Sequence, residues 1–196
     1  MAHQQLWLLR HGEAVPHESK EDFDRELTPR GERQAVAAGE ALARLGLEFA
    51  ACYTSPLVRA AATAELTCEK LNVTPEQREA IGKGFNVDTV LELLAEHEDG
   101  ARILVVGHNP SFEQVVLDLT CGRVDFKKGG VAGVRVSAGR GELLVLMRPR
   151  ELEVEAVTYA DQRQLGMTWS PLGMVRAPSK LIVRARLIRE EGAAVE

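Results

Sequence analysis

Three times along this chain a short apolar run breaks off into charged or polar residues and then into a helical pattern. That recurrence restricts the fold more than any other feature. Leu6–Leu9 is followed by Arg10-His11-Gly12, Ala50–Thr54 by Ser55-Pro56 and Arg59, and Ile103–Gly107 by His108-Asn109-Pro110. Strand-length runs alternating with longer helical periodicities predict an α/β fold, a three-layer sandwich with a mostly parallel central sheet between helices. The near-continuous apolar stretch Ile103–Gly107 suits a strand buried on both faces.

Helix starts punctuate the chain in a consistent way. Thr28-Pro29 pairs a capping side chain with a ring pre-set for the first turn, and Ala35, Ala38, Leu42 and Leu45 then form an apolar stripe. Ser55-Pro56 predicts a second helix running to about Leu71, and Asn109-Pro110 another ending near Gly122. Asn86–Glu98 is amphipathic through Val90, Leu91 and Leu94. Pro16–Glu26 is polar and acidic and reads as a loop. Val131–Val136 and Glu142–Met147 read as strands joined by a Gly139-Arg140-Gly141 turn. Ala177–Ile188 fits a strand or a helix equally well. With no linker or repeat to divide it, the chain is expected to be one domain over residues 1–196, with 149–196 packing against the sheet.

A 196-residue chain with 45% apolar and 27% charged residues has the composition of an ordinary globular domain. Its net charge of −5 supplies no global field for nucleic acid, so an anionic ligand must be drawn by a local cluster of positive groups. Cys52, Cys68 and Cys121 are widely spaced and show no CxxC pattern, which predicts reduced thiols. No run reaches the roughly 18 apolar residues of a membrane span. A soluble cytoplasmic protein is expected, with no nucleic-acid or membrane partner.

The polar residues at the three strand ends carry the chemistry. In open α/β sheets, ligands bind outside the carboxyl ends of the strands. If these three strands are neighbours, Arg10, His11, Arg59 and His108 converge there, with two helix starts aiming N–H groups at the same edge. Arginine offers planar paired donors to phosphate oxygens, and helix N-termini favour anions. Such a set can offset the charge of a transferring phosphoryl group without a metal. A neutral imidazole beside positive charge can attack phosphorus. Paired histidines also serve zinc, but there is no HxxxH spacing and no cysteine near either, so neither metal nor cofactor is expected.

These pieces, in this order, resemble the histidine phosphatase superfamily: Arg10-His11-Gly12, Leu27-Thr28-Pro29-Arg30-Gly31 with Gln34-Ala35, Tyr53-Thr54-Ser55-Pro56 with Arg59-Ala60, and Val106-Gly107-His108. The resemblance covers the chain to about residue 120 and is similar in particular to the small bacterial phosphohistidine phosphatases of SixA type. It implies a phosphoglycerate mutase-like fold and His11 as a phosphorylated nucleophile. Arg10, Arg59 and His108 become the phosphate pocket, with Gly12 and Asn109 as further substrate contacts. Longer branches carry a glutamate proton donor in a segment that is short here. Glu79 stands near that place, and Glu21 and Asp22 lie in the acidic loop that follows His11.

The implied substrate is phosphohistidine on a signalling or phosphotransfer protein, since an imidazole leaving group needs a positioned acid less than an alkoxide does. The alternatives are a phosphatase or mutase acting on a small phosphomonoester, and a non-catalytic phosphate-binding module.

Overall fold

The computed structural model describes residues 3–82 and 84–153. The strands are β1 (Gln4–Arg10), β2 (Ala51–Thr54), β3 (Pro75–Gln77), β4 (Arg102–Gly107), β5 (Val131–Ser137) and β6 (Arg140–Met147). The helices that flank them are α1 (Pro29–Arg44), α2 (Val58–Cys68), α3 (Val87–Ala95) and α4 (Ser111–Thr120). The sheet runs in the order β3-β2-β4-β1-β5-β6. The four strands from β3 to β1 are parallel, and β5 is antiparallel to β1. This is the mixed, mostly parallel sheet of the phosphoglycerate mutase-like fold.

Side-chain alternation along the central strands builds two cores. Leu6 and Leu8 of β1 join Ile103 and Val105 of β4 under Val90, Leu94, Phe112 and Val115 of α3 and α4. Trp7 and Leu9 point the other way and join Leu104 and Val106 under Ala38, Leu42, Ala60 and Ala64 of α1 and α2. The sheet is therefore covered on both faces, which explains the unbroken apolar runs. Leu6, Leu8, Leu9 and Ile103 are fully buried, each contributing about 2 kcal/mol by leaving water. No helix among the described residues is long and apolar enough to cross a membrane.

Two of the expected helix starts are displaced. Thr28 caps α1 as anticipated, its Oγ1 accepting from Gly31 N–H at 3.1 Å. Ser55-Pro56, however, does not begin a helix: α2 starts at Val58 and its cap Leu57 is extended. Proline disfavours helical backbone in the residue before it, and Ser55 N–H still bonds Val106 O at 3.1 Å as an extension of the sheet. Likewise Pro110, not Asn109, caps α4, after a cis Asn109-Pro110 peptide bond. The β5–β6 turn is centred on Ala138-Gly139, both at positive φ, because Ser137 already pairs with Arg140. That is the geometry of a two-residue hairpin turn. β3 has only three residues and carried no readable pattern. The expectations for Ala177–Ile188, and for the packing of 154–196 and hence of one domain, fall outside the described residues.

Candidate active site

Pairing in the sheet brings the three strand ends together. Arg10 stands beside Gly107, and Thr54 beside Val106, so His11, Ser55 and His108 leave adjacent strands at one edge. His11 N–H donates to Gly107 O at 3.0 Å, and the carbonyls of Arg10 and His11 both accept from Gly129 N–H at 3.0 Å. The turn after β1 is pressed against the start of α1. A Cβ on Gly12 would lie 2.5 Å from Gly31 O, and one on Gly31 would lie 2.0 Å from Glu13 O. Only glycine fits either place. Gly12 N–H in turn donates to Thr63 Oγ1 at 3.1 Å, and that hydroxyl donates to Arg59 O at 2.6 Å. The turn after β1 that carries the nucleophile candidate and the arginine on α2 are thus coupled through one threonine.

The imidazole rings of His11 and His108 lie 5.1 Å apart, centroid to centroid. His11 Nδ1 is 2.7 Å from the carbonyl of Gly12. A carbonyl can only accept, so Nδ1 carries the proton and Nε2 holds a free lone pair. Burial, then the neighbouring His108, Arg59 and Arg10, pull the His11 pKa down to about 3, against a smaller opposing effect of the Gly12 bond. Burial and then Arg59 take His108 down to about 4. Both rings are neutral at pH 7, so His108 offers a hydrogen bond there and not a full charge.

Arg10 donates through Nη1 to Phe126 O, which also accepts from Asn109 Nδ2 at 3.2 Å. Arg59 donates to the backbone carbonyl of Asp22 and, at 3.2 Å, to its carboxylate Oδ2. Buried polar atoms are left without partners around this centre: Nε of Arg10, Nε of Arg59, both ring nitrogens of His108, and Oδ1 of Asn109. An unpaired buried donor costs roughly 1–3 kcal/mol, and a bound oxyanion would satisfy the N–H groups among these.

Arg10, His11, Gly12, Arg59, His108, Asn109 and Asp22 stand together around this centre. Asn109 bridges Glu113 Oε1 at 2.6 Å and Phe126 O where a helix cap was expected. The α2 N-terminus is not fully open to a ligand either, because Val58 N–H donates to Phe23 O at 3.1 Å. Glu13 turns towards Thr28 and Arg30, not towards Arg10. Of the three acid candidates, Glu21 is exposed on the loop. Glu79 sits exposed on a 3-10 turn just beyond β3, where Arg78 N–H bonds Thr54 O at 2.9 Å. Burial would raise the Asp22 pKa, but hydrogen bonds and charge from Arg25 and Arg59 bring it below the usual carboxylate range. A carboxyl held ionised in this way is a poor proton donor.

Sequence reasoning missed Arg25, which is 4% exposed and grips Asp22 Oδ1 at 2.8 Å. Its signal was an arginine within a mostly acidic run. Thr63 and the carbonyl of Phe126 were also missed, and neither leaves a trace in residue pattern.

The sequence model of the histidine phosphatase superfamily (branch 1) matches residues 6–82. An uncharacterised protein from Picosynechococcus sp. is 32% identical over 162 residues, spanning 76% of this chain and 98% of its own length. The chain belongs to the histidine phosphatase superfamily. Its SixA-type character follows from the similarity to the protein histidine phosphatase SixA, solved with tungstate, at 26% identity and TM-score 0.68 over 76% of this chain and 99% of that one. A phosphoserine phosphatase from Entamoeba histolytica, 18% identical with TM-score 0.63 over 75% of this chain and 98% of that one, shares the fold. Membership and the similarity to SixA support phosphatase activity. The superfamily match spans Arg10, His11 and Arg59, whereas His108 lies beyond it and rests on the Val106-Gly107-His108 motif and on geometry.

Proposed function

We infer that the protein is a metal-independent phosphohistidine phosphatase in which His11 is the nucleophile. The observation that carries this is the His11 Nδ1–Gly12 O bond, which leaves Nε2 with a free lone pair beside unsatisfied donors of Arg10, Arg59 and His108. Nε2 attacks the phosphorus while the phosphorus–nitrogen bond of the substrate breaks, and the substrate imidazole departs with the bonding pair. A proton from solvent completes that leaving group, since the neutral His108 ring has no acidic proton to give. Water then attacks the phosphohistidine on His11, its proton goes to solvent, and inorganic phosphate leaves as Nε2 regains its pair. The arginines and His108 stabilise the equatorial oxygens in both steps. Gly12 and Asn109 lie against the same pocket as further substrate contacts.

The ionised state of Asp22 favours a substrate that needs little acid help, which points to phosphohistidine on a signalling or phosphotransfer protein. A cytoplasmic site of action belongs to this reading and agrees with the free thiols of Cys52, Cys68 and Cys121. The neighbour solved with phosphoserine favours a second reading, a phosphatase for small phosphomonoesters. A substrate screen of the purified chain tests both. A phosphohistidine protein should be turned over with higher kcat/KM than phosphoserine or sugar phosphates, in the presence of a strong chelator. His11→Ala should abolish turnover and the acid-labile phosphoenzyme. Turnover by that variant would refute the nucleophile, and tight phosphate binding with no phosphoenzyme would favour a non-catalytic module.

A further inference from the structure

The acidic loop holds a chain of charges that ends at the pocket. Arg25, almost fully buried, donates Nε to Val15 O at 2.9 Å and Nη1 to Asp22 Oδ1 at 2.8 Å. The ring of His17 lies 3.3 Å from the same oxygen. The other carboxylate oxygen of Asp22, and its backbone carbonyl, receive Arg59. One carboxylate therefore stands between two arginines, and one of those two faces the site where a phosphoryl group would sit.

Two consequences follow from that placement. Arg59 has five N–H bonds, of which Asp22 takes two and leaves the buried Nε without a partner. The plane of the guanidinium is fixed by a two-point clasp, so its remaining donors have a defined direction. At the same time a negative charge lies one guanidinium away from an incoming anion, and the two compete for the same cation. Side-chain exposure of 7% at Arg59 limits screening by solvent there, although Asp22 is 53% exposed.

We propose that Asp22, gripped by Arg25, is a positioning residue that orients Arg59 towards the phosphoryl group and lowers the affinity of the pocket for phosphate. It rests on the phosphatase reading and adds to it a residue that acts through Arg59. Weak phosphate binding matters to a phosphatase because inorganic phosphate is its product, and a pocket built from two arginines would otherwise release it slowly.

The test measures inorganic phosphate binding to the full chain by calorimetry, alongside KM and kcat for p-nitrophenyl phosphate. Asp22→Asn keeps the carbonyl clasp and a side-chain acceptor while removing the charge. It should tighten phosphate binding roughly three- to tenfold and lower KM in the same sense, without raising kcat. Asp22→Glu, which keeps the charge, should bind phosphate as weakly as the parent. Arg25→Gln leaves Arg59 as the one arginine on the carboxylate and should weaken phosphate binding, opposite in sign to Asp22→Asn. A role limited to holding the loop would move both variants in the same direction, and that result, or unchanged binding in a folded Asp22→Asn, overturns the inference. A parent protein that is active and binds phosphate while Asp22→Asn does not differ from it sinks this inference alone. A parent that neither turns over p-nitrophenyl phosphate nor forms a phosphoenzyme sinks the phosphatase reading with it.

Discussion

Arg10 on β1 and Arg59 on α2 flank the same candidate pocket, and they are restrained by different chemistry. Arg10 is anchored by a neutral acceptor, the carbonyl of Phe126, and the carboxylates of Glu113 and Asp125 act on it only from a distance. Arg59 is anchored by the carboxylate and carbonyl of Asp22. Burial lowers the pKa of both, yet each stays protonated at neutral pH. The difference lies in how much of that charge is left for a ligand. A dipole orients a guanidinium without cancelling it, whereas a carboxylate orients it and partly offsets it. The pocket therefore has one strong cation and one moderated cation.

The largest expected effect follows from that asymmetry. Arg10→Ala should lower kcat/KM about 1,000-fold and Arg59→Ala about 100-fold, the range known for loss of a donor to a developing oxyanion. In steady-state assays on one substrate, equal losses, or a larger loss at Arg59, would break the comparison.

The histidines report the same asymmetry through pH. After burial, Arg59 is the main influence lowering His108, ahead of Arg10. Arg59→Gln should then raise the His108 pKa from about 4 more than Arg10→Gln does, as read by NMR titration of the ring protons. The sign for stability is fixed by linkage. Folding lowers His11 from 6.5 to about 3 and His108 from 6.5 to about 4, so the unfolded chain binds more protons in that window. Their contribution is complete above pH 6.5 and is lost as pH falls towards 3–4, at roughly 1.4 kcal/mol per pH unit for each ring. His11→Gln should flatten the acid limb of a denaturation series by about one proton. An unchanged slope would show that His11 is not held neutral by the fold.

Much of the Arg10 side was legible in the sequence, and much of the Arg59 side was not. Arg10 and His11 extend an apolar strand, so period and motif place them together, and Gly12 and Gly31 mark a close backbone approach. Arg59 itself was found by motif, but its restraint depends on a loop. The acidic run 18–26 reads as solvated surface because nothing in its spacing says that Arg25 turns inward while its neighbours do not. Helix starts at Ser55 and Asn109 were misplaced for a local reason: each residue precedes a proline and is pushed out of helical backbone. β3 escaped because three residues at a sheet edge carry no period.

Stability measurements sharpen the contrast between a backbone-fixed side and a loop-fixed side. Gly31→Ala sets a methyl group against Glu13 O, where the backbone cannot yield without moving the turn that carries His11. It should cost about 2–3 kcal/mol, the upper range for overpacking, and should lower activity as well. Lys20→Ala removes a loop ion pair with Glu26, exposed on both sides, and should change the unfolding free energy by less than about 0.5 kcal/mol. Chemical denaturation of the two variants decides. A mild Gly31→Ala would mean that α1 can slide away from the β1 turn.

The smallest effect is expected at Asp125, and it tests whether proximity of a negative charge is enough to moderate an arginine. Asp125 influences Arg10 by charge alone and pairs directly with Lys127 at 2.7 Å, a contact exposed on both sides. Its own pKa is lowered first by the Lys127 bond, with Arg10 the last and weakest of the influences on it. Lys127 already balances the carboxylate, and water screens what remains. Asp125→Asn should therefore change phosphate affinity less than twofold, against the three- to tenfold tightening expected for Asp22→Asn. Calorimetry on the two variants at one ionic strength makes the comparison, and raising the salt should shrink the Asp125 effect first, since both members of its pair are in water. If Asp125→Asn instead tightened phosphate as much as Asp22→Asn, the direct clasp on Arg59 would not be what moderates it. The net charge around the pocket mouth would be, and the difference between the two arginines would reduce to geometry.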